Sequence, residues 1–512
     1  MKKILLAVLS MVVASGAYAT TRTVAQDGSG DFTSIQEAID AFTEAEVTDG
    51  EPDEVVILDG ATYDEQVAVG FFGVSVANGS FTGDIDSAVS LSASRDPFTL
   101  RGADAENPPT IDPVAGDPVR YGVFPEDAGD SFIASLSYMG IGLTFENLIV
   151  ARSSVIDGDQ YGMNGQAGNT VFDNVLFQNI DGGQSLINFN NNALITGEGI
   201  DNSYTFQNCA FDGSIDEGMR GTGTIYFHGI RDSDAAEAGV SVDNIAADIT
   251  FDGCEFMDGE EFIRIRAREQ GHSVTIRNSF FHNVQTGFYA NGNGEYVVED
   301  SIFYENANQP GDAADDDSAP IKIGERSGIT GDVTVRNSLF VNNLNEDELA
   351  GTIALEALAA TILINNGDTN GDLVVENCTF VGNPVVMRYI DGAGRERSDT
   401  VNNNIFQDTS AFVLGAEGSN GGYFSAPTAE GDGTSTVLTV TGSGNVFDSN
   451  ANLVDSADLL PNVNIEGEEA TVTFTNPSID PASPFDPAPY VPDVDAGAVF
   501  GEDTQVDAFM LY

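Results

Sequence analysis

Three arginines at alternate positions, Arg264, Arg266 and Arg268, are the residues best suited to chemistry. Alternate residues of a β-strand point to the same side, so these guanidinium groups are expected on one face. Like charges held this close repel unless an anionic group lies among them, and a guanidinium binds a carboxylate or sulfate through two parallel hydrogen bonds. The spacing therefore indicates either ion pairs with neighbouring Asp and Glu side chains or a site for an acidic ligand.

Further polar groups lie in short strands on both sides of these arginines. We align the strands 186–190, 225–228, 262–266, 288–291, 321–323, 353–356 and 387–389 and take their apolar residues as inward. The outward set, which we call the ladder face, comprises Asn188, Asn190, Tyr226, His228, Arg264, Arg266, Tyr289, Asn291, Lys322, Glu356 and Arg388. Tyrosine rings and amides suit sugar rings, and cations suit acid groups. We therefore predict substrate contacts at Asn188, Tyr226, His228, Arg266, Arg268, Tyr289, Asn291, Lys322 and Arg388.

Two short loops have the oxygen spacing of a calcium site. Asp368, Asn370 and Asp372 alternate in one loop, and Asp27, Ser29 and Asp31 alternate in the other, but neither loop has the downstream Glu of a full site. Calcium is therefore a candidate ligand, and no cofactor is required. We expect His272 and His282 to be surface residues, and the sequence has no zinc-like cluster.

A repeated phrase shows which elements must position these residues. A short β-rich run ends in Asn, Asp or Gly, a small residue follows, and Phe stands three places after the turn residue. The nine turn positions are Asn147, Asn174, Asn208, Gly253, Asn278, Asp300, Asn337, Asn377 and Asn403. They lie 22 to 45 residues apart, which fits a coil of constant length with loops of varying length. We predict an all-β fold, a single right-handed parallel β-helix with a short N-terminal capping helix.

The alternation of side chains defines the inside of each coil. Val274, Ile276 and Phe280 are expected inside, and Phe303, Phe340 and Phe380 are expected to stack. The cysteines Cys209, Cys254 and Cys378 follow turn residues where other coils have Ser, so they are expected to be small buried free thiols. A lid helix is predicted within 33–42, with Thr33 and Gln36 as a capping box and Ile35, Ala38, Ile39 and Phe42 as its apolar face.

Composition and the N-terminus indicate export. Residues 1–19 have the basic, apolar and small-residue order of a signal peptide, 20–475 form the β-helix, and 476–512, rich in Pro and Asp, are predicted to run back along the outside as an irregular cap. The net charge of −62 argues against nucleic acid and anionic membranes as partners, and no later segment is apolar enough to span a membrane. A secreted protein of the extracellular space, cell surface or periplasm is predicted.

The opening of the mature chain resembles pectin methylesterases. The resemblance is carried by residues 23–39, by Gly60 to Glu65 and by Leu100-Arg101-Gly102, about the first hundred mature residues, and it identifies the chain as a member of the pectin-lyase-like superfamily of β-helices. Those esterases use an Asp nucleophile, an Asp acid/base, Gln oxyanion donors and an orienting Arg. Their QDT motif has no counterpart here, GRPW is impossible without Trp, and DFIFG has only 213–218 as a partial match. The implied catalytic set is Asp181, Asp216, Gln184 and Arg264.

Two functions remain open. One is a protein that binds or modifies an acidic extracellular polysaccharide and whose esterase or lyase chemistry is degenerate. Lyase chemistry would use Arg264 or Arg266 as the base, with His228 or Tyr226 nearby, and a calcium ion would neutralise the uronate carboxylate. The other is a non-catalytic cell-surface, filament or adhesin subunit that self-assembles and has an acidic, cation-binding coat. We favour the first and lean against catalysis.

Overall fold

The computed structural model describes most of the repeat region and parts of the segments around it. The described residues are 19–69, 74–77, 80–83, 96–113, 132–139, 142–152, 159–166, 169–180, 185–190, 203–216, 219–220, 225–228, 247–306, 319–324, 331–343, 360–365, 371–383, 385–390, 397–407, 411–415, 438–448, 463–470, 472 and 497. Residues 1–18, which hold nearly all of the predicted signal peptide, lie outside them.

The chain is a right-handed parallel β-helix whose coils contribute strands to three parallel sheets. The first sheet contains Thr21–Val24, Asp53–Ile57, Phe98–Gly102, Ser203–Gln207, Asp248–Asp252, Asp332–Arg336, Leu373–Glu376 and Arg397–Asn402. The second contains Thr62–Tyr63, Thr110–Ile111, Ala210–Asp212, Glu255–Met257, Phe280–His282, Ile302–Tyr304, Leu339–Val341, Thr379–Val381 and Ile405–Gln407. The third contains Val67–Val69, Phe132–Met139, Asp159–Gln166, Ser185–Asn190, Ile225–His228, Ile321–Ile323, Ala360–Asn365, Val385–Ile390 and Ala411–Gly415.

Some strands belong to two sheets, and the described residues also include two antiparallel hairpins. The strands that continue from the first sheet into the second are Leu143–Arg152, Thr170–Ile180, Leu438–Phe447 and Val463–Glu469, and those that continue from the third into the first are Glu261–Arg277 and Thr286–Glu299. The antiparallel hairpins are Val74–Ala77 with Ser80–Gly83 and Ser214–Asp216 with Met219–Arg220. No helix in the described ranges is long and apolar enough to cross a membrane.

The nine predicted turn residues all have the left-handed backbone, with φ between 49° and 67°. Asn, Asp and Gly tolerate this conformation better than other residues, which explains why they share the position. The side chains also bond between coils: Asn174 Nδ2 donates to Asn147 Oδ1 at 2.6 Å, and Asn278 Nδ2 donates to Asp252 Oδ1 at 2.8 Å. The predicted turn chemistry is confirmed.

Stacked phenylalanines fill the interior. From Phe177 to Phe447, rings of consecutive coils stack with centroids 4.3 to 5.3 Å apart, and Phe145, Phe172, Phe206 and Phe251 form a second stack. The first copy of the repeat has Val150 in place of Phe. One assignment is wrong: Phe281 occupies the stack, whereas Phe280, its neighbour in the strand, points to the opposite side and packs in a separate cluster.

A column of small polar side chains lines the inside of the turns. The backbone N–H of Cys254 donates to Ser279 Oγ at 3.2 Å, Ser279 N–H to Ser301 Oγ at 3.2 Å, and Cys378 N–H to Asn404 Oδ1 at 2.8 Å. The cysteines occupy this column as predicted, and none of the three is in a disulfide. Burial raises the pKa of the Cys378 thiol to about 12, so this sulfur stays protonated and unreactive at neutral pH.

The lid helix spans Ile35–Asp40 and covers the first coil with Ile35, Ala38 and Ile39, and Phe42, two residues past its end, is also buried. Its N-cap is Ser34 rather than Thr33: Glu37 N–H donates to Ser34 Oγ at 3.2 Å. The Glu65 carboxylate fixes this choice because it accepts from the Ser34 hydroxyl and from the N–H groups of Ile35 and Gln36. The Gly60 to Glu65 segment therefore anchors the lid.

Candidate functional site

The sheet register places residues of the ladder face in two columns along the third sheet. In the first column each residue pairs with its neighbour in the next coil, and the members are Asn164, Asn188, Tyr226, Arg264, Tyr289, Lys322, Leu363, Arg388 and Leu414. The second column contains Asn190, His228, Arg266 and Asn291. Neighbouring members are one coil, about 4.8 Å, apart. Over 186–323, the strand alignment predicted from the sequence therefore agrees with the register of the strands in the structure.

The arrangement differs from the expected one in one place, and in a second place the register does not test it. The strand that pairs with Ile321–Ile323 is Ala360–Asn365, so Leu363 occupies the place expected for Glu356, which lies outside the described residues. Arg268 falls where the pairing between Glu261–Arg277 and Thr286–Glu299 shifts, between Ala267 and His272. The register of this pairing does not include Arg268, so its place on the same face as Arg264 and Arg266 stays a prediction.

At the centre of the ladder face, Tyr289 lies between two cations. The Arg264 guanidinium carbon is 5.2 Å from the Tyr289 ring centroid, and Lys322 Nζ is 4.9 Å from it on the side of the following coil. Arg264 Nη1 also donates to Glu261 Oε2 at 2.7 Å. Cation–π contacts of this kind contribute about 0.5–2 kcal/mol, more where water is excluded. The Tyr289 ring and the Glu261 carboxylate reduce the repulsion between Arg264 and Lys322. Their contacts with Arg264 also fix the orientation of its side chain.

Burial divides the ladder face into covered and accessible parts. Tyr289 is fully buried and Lys322 is 6% exposed, whereas the Arg264 side chain is 24% exposed. The expectation that Tyr289 and Lys322 face solvent is wrong: their Cβ atoms point outward, as the alternation requires, but the side chains are covered. Of these three residues, Arg264 is the most exposed. Glu261 is not among the predicted site residues, and its signal in the sequence is its position three residues before Arg264.

On the first sheet, arginines are neutralised by acids of adjacent coils. Arg277 donates through Nε and Nη2 to Asp252 Oδ2 at 3.0 and 2.7 Å, and Arg336 pairs with Glu299. These residues belong to one outward column in which acidic and basic side chains alternate: Asp252, Arg277, Glu299, Arg336 and Glu376. Acidic partners therefore neutralise arginines on the first sheet, and Glu261 does the same for Arg264 on the third sheet.

The implied esterase residues are not assembled by the described part of the chain. Asp181 and Gln184 lie outside the described residues. Asp216 ends the first strand of a hairpin that follows a second-sheet strand, Ala210–Asp212, whereas Arg264 lies on the third sheet. The catalytic set therefore stays a prediction.

The described carboxylates of the calcium loops accept hydrogen bonds from the protein itself. Asp368 and Asn370 lie outside the described residues, and Asp372 Oδ1 accepts from the Ser398 N–H at 2.9 Å. In the other loop the hydrogen bonds from Ser29 lower the pKa of Asp27, and those from Thr23 lower the pKa of Asp31. Within the described ranges no three His, Cys, Asp or Glu side chains are placed to hold a metal ion.

His272 is buried, contrary to the expectation that it is a surface residue. It lies within the long strand Glu261–Arg277 at the corner between the third and first sheets, and 1% of it is exposed. Its Nδ1 accepts from the Ala247 N–H at 3.0 Å, so the proton of the neutral ring is on Nε2. Burial lowers its pKa to about 4. His282 is half-buried, and its Nε2 lies 2.9 Å from Glu255 Oε1.

We expect His272 to make the fold less stable in acid. Its pKa is about 6.5 in the unfolded chain and about 4 in the fold, so the unfolded chain binds the extra proton and stability falls as pH drops from 6.5 to 4. The loss is at most about 1.36 kcal/mol per pH unit, roughly 3 kcal/mol across the window. His272→Asn keeps an acceptor for Ala247 and should flatten this part of a urea-denaturation pH profile. An unchanged profile would contradict the assignment.

No family model and no curated protein matches the sequence. Among solved structures the chain is similar to a mannuronic acid specific polysaccharide family 6 lyase from human gut microbiota, with 12% identity, 88% of this chain and 87% of that chain covered, and a TM-score of 0.41. It is similar to an alginate lyase from Paenibacillus sp. with 15% identity, 69% and 93% covered, and a TM-score of 0.35. A pectin methylesterase from carrot gives 10% identity, 87% and 88% covered, and a TM-score of 0.30. These are likenesses of fold.

Proposed function

We propose that this chain is a secreted protein that binds an acidic extracellular polysaccharide along the ladder face. The observation that carries the proposal is the pairing of Tyr226 with Arg264 and of His228 with Arg266 in adjacent coils of the third sheet. Two arginines of one strand are thereby placed beside an aromatic and an imidazole position. Carboxylate or sulfate groups on the glycan would have the role at Arg266 that Asp252 and Glu299 have at Arg277 and Arg336, and would share Arg264 with Glu261.

The charge of the protein sets conditions on this binding. A net charge of −62 repels a polyanion at long range, so attraction must come from short-range contacts with the arginines or from bound cations that screen the acidic coat. Calcium is proposed as an optional ligand that would screen the acidic coat. Its candidate site consists of Asp368, Asn370 and Asp372. Binding should therefore strengthen on adding calcium.

Variants of the third-sheet arginines test the proposal. A charge-assisted hydrogen bond contributes about 1.5–3 kcal/mol, so Arg264→Ala with Arg266→Ala should weaken binding to polygalacturonate or alginate at least tenfold. Glu261→Gln should tighten binding, because it releases Arg264 Nη1 from its carboxylate partner. Affinity electrophoresis or calorimetry gives the dissociation constants.

Arg277→Ala is the matched control, since Arg277 is a paired arginine on the outside of the first sheet. It should leave glycan affinity unchanged. Equal losses in the Arg277 variant and in the third-sheet double variant would refute the proposed location. A neutral glycan such as dextran should bind neither to the unsubstituted protein nor to the variants.

Catalysis is proposed to be absent or degenerate, with Asp181, Asp216, Gln184 and Arg264 as the residues of an esterase if one remains. Incubation with methyl-esterified pectin should release no methanol, and incubation with alginate or polygalacturonate should produce no absorbance of unsaturated sugars, with or without calcium. Turnover abolished by Arg264→Ala would instead establish a carbohydrate-active enzyme at the same face.

A structural role at the cell surface is the second candidate. The buried Tyr289 between Arg264 and Lys322 and the alternating charges on the first sheet favour it, since both stiffen the stack of coils without a ligand. A surface-layer, filament or adhesin subunit should assemble when calcium neutralises its acidic coat. Sedimentation and electron microscopy with calcium distinguish this role from glycan binding by a monomer.

A further inference from the structure

A carboxylate is buried beside the point where the mature chain is predicted to begin. Asp53 is the first residue of the strand Asp53–Ile57, and 2% of it is exposed. Its Oδ1 accepts a hydrogen bond from the backbone nitrogen of Thr20 at 3.1 Å. The Thr20 carbonyl accepts from the Glu54 N–H at 3.0 Å, in the parallel register that pairs Thr21 with Glu54. Thr20 therefore extends the first strand by one residue and lies against Asp53.

The Asp53 carboxylate lacks a basic partner in the part of the chain that the structure describes. The bond from Thr20 is the only hydrogen bond that the described residues donate to it, and none of their Lys or Arg side chains pairs with it. Burial and the repulsion of Asp49, Glu46 and Asp96 raise the pKa of Asp53 to about 6. The group is therefore charged at neutral pH, where a buried charge without a cation destabilises the fold.

The neighbouring groups do not supply that cation. Arg22, on the first strand, pairs with Glu46 at 3.2 Å, and Asp96 Oδ2 accepts from the Gly50 N–H at 2.6 Å. Over the ranges that the structure covers, no three acidic side chains are placed to hold a metal ion. The group that remains within hydrogen-bond distance of Asp53 is the Thr20 nitrogen.

We infer that hydrolysis of the Ala19–Thr20 peptide bond supplies the cation, because the new α-ammonium group of Thr20 then forms an ion pair with the Asp53 carboxylate. Water provides the oxygen that leaves on the Ala19 carboxylate and the protons that convert the Thr20 amide nitrogen into an ammonium group. Ala17 and Ala19 are the small residues that a leader peptidase requires, and Ala19 is exposed. The inference rests on the export in the proposed function and not on glycan binding.

The cleavage is then a maturation step for the fold. While the leader is attached, the Thr20 nitrogen is an uncharged amide with one N–H, and the Asp53 charge stays uncompensated. After cleavage the same nitrogen carries a positive charge within hydrogen-bond distance, which favours the charged form of both groups. The ion pair joins the first strand to the second, beside the coil that the lid helix covers.

Asp53→Asn tests the inference in two forms of the chain, one that begins at Thr20 and one that keeps residues 17–19. Asn retains an oxygen acceptor for the Thr20 nitrogen and removes the charge. At pH 7 the substitution should make the backbone amides of 54–57 exchange at least about tenfold faster in the form that begins at Thr20. In the longer form it should slow their exchange, because it removes an uncompensated buried charge.

The reactivity of the α-amino group gives a second measurement. In the form that begins at Thr20, this group should react with acetic anhydride at pH 8 at least about fivefold more slowly than in a free peptide of residues 20–30, because the ion pair keeps it protonated. Asp53→Asn should restore the faster reaction. Asp49→Asn is the matched control and should not, since Asp49 is an exposed acid whose Oδ1 accepts from Glu51 N–H.

Three results would overturn the inference. They are faster exchange of 54–57 in both forms of Asp53→Asn, reaction of the α-amino group at the rate of the free peptide, and an exported protein whose mass shows another first residue. An uncut chain retained in the cell would also refute export, whereas an exported chain with an ordinary α-amino group refutes only the ion pair. Exchange of Ile302–Tyr304 in the same samples shows that the distant coils remain folded.

Discussion

Replacing Phe340 with Ala is expected to lower the free energy of unfolding by about 3–5 kcal/mol. Phe340 is fully buried, and its ring centroid lies 4.8 Å from those of both Phe303 and Phe380. Removing the ring leaves a cavity in the middle of the stack, which the β-sheet on either side prevents from collapsing, and removes two aromatic contacts of about 0.5–1.5 kcal/mol each. Urea denaturation followed by circular dichroism measures the change.

The control for Phe340 is Val374→Ala, a truncation at a half-buried outward position of the first sheet. It should change stability by no more than about 0.5 kcal/mol. If both variants lost the same stability, the stack would not be the principal core of the molecule.

Replacing Asn343 with Leu is expected to be nearly as damaging although the side chains are similar in size. Asn343 Oδ1 accepts from the Asn306 N–H at 3.1 Å, and its Nδ2 donates to the Phe303 carbonyl at 3.1 Å and to Asn383 Oδ1 at 2.9 Å. Each buried backbone group left without a partner costs about 1–3 kcal/mol, so the Asn306 N–H and the Phe303 carbonyl together cost roughly 2–6 kcal/mol. Chemical denaturation gives the difference from the unsubstituted chain.

Asn342→Gly provides the comparison for Asn343. Asn342 is the exposed neighbour with φ of 52°, a conformation that Gly also accepts, so its replacement should cost only a few tenths of a kcal/mol. An Asn343→Leu protein as stable as Asn342→Gly would show that the buried amide column is dispensable.

The fold was predictable because its signal is repeated. At each turn the backbone requires a residue that accepts the left-handed conformation, and three places later the interior requires a large apolar side chain. Each coil can therefore be recognised from such a pair, whatever the length of its loops, and examples are Asn278 with Phe281 and Asn337 with Phe340. The constraint is local in sequence and recurs at every coil. The choice between Phe280 and Phe281 was harder, because both are buried and only the contacts with neighbouring coils separate them.

The features that were mispredicted depend on residues distant in sequence. Ser34 caps the lid helix because Glu65, about thirty residues later, accepts its hydroxyl hydrogen bond. His272 is buried because its strand continues around the corner from the third sheet into the first, which places it against Ala247. Tyr289 is covered, although alternation alone predicts that it is exposed. Alternation determines the face of a residue, and the surrounding chain determines whether that face meets solvent.

A crystal structure of the protein with a bound oligouronate would test the proposed glycan site. We predict the ligand on the outside of the third sheet, with a carboxylate group within hydrogen-bond distance of the Arg264 or Arg266 guanidinium. An oligouronate bound on the first or second sheet, with the third-sheet arginines paired only to acidic side chains of the protein, would contradict the proposal.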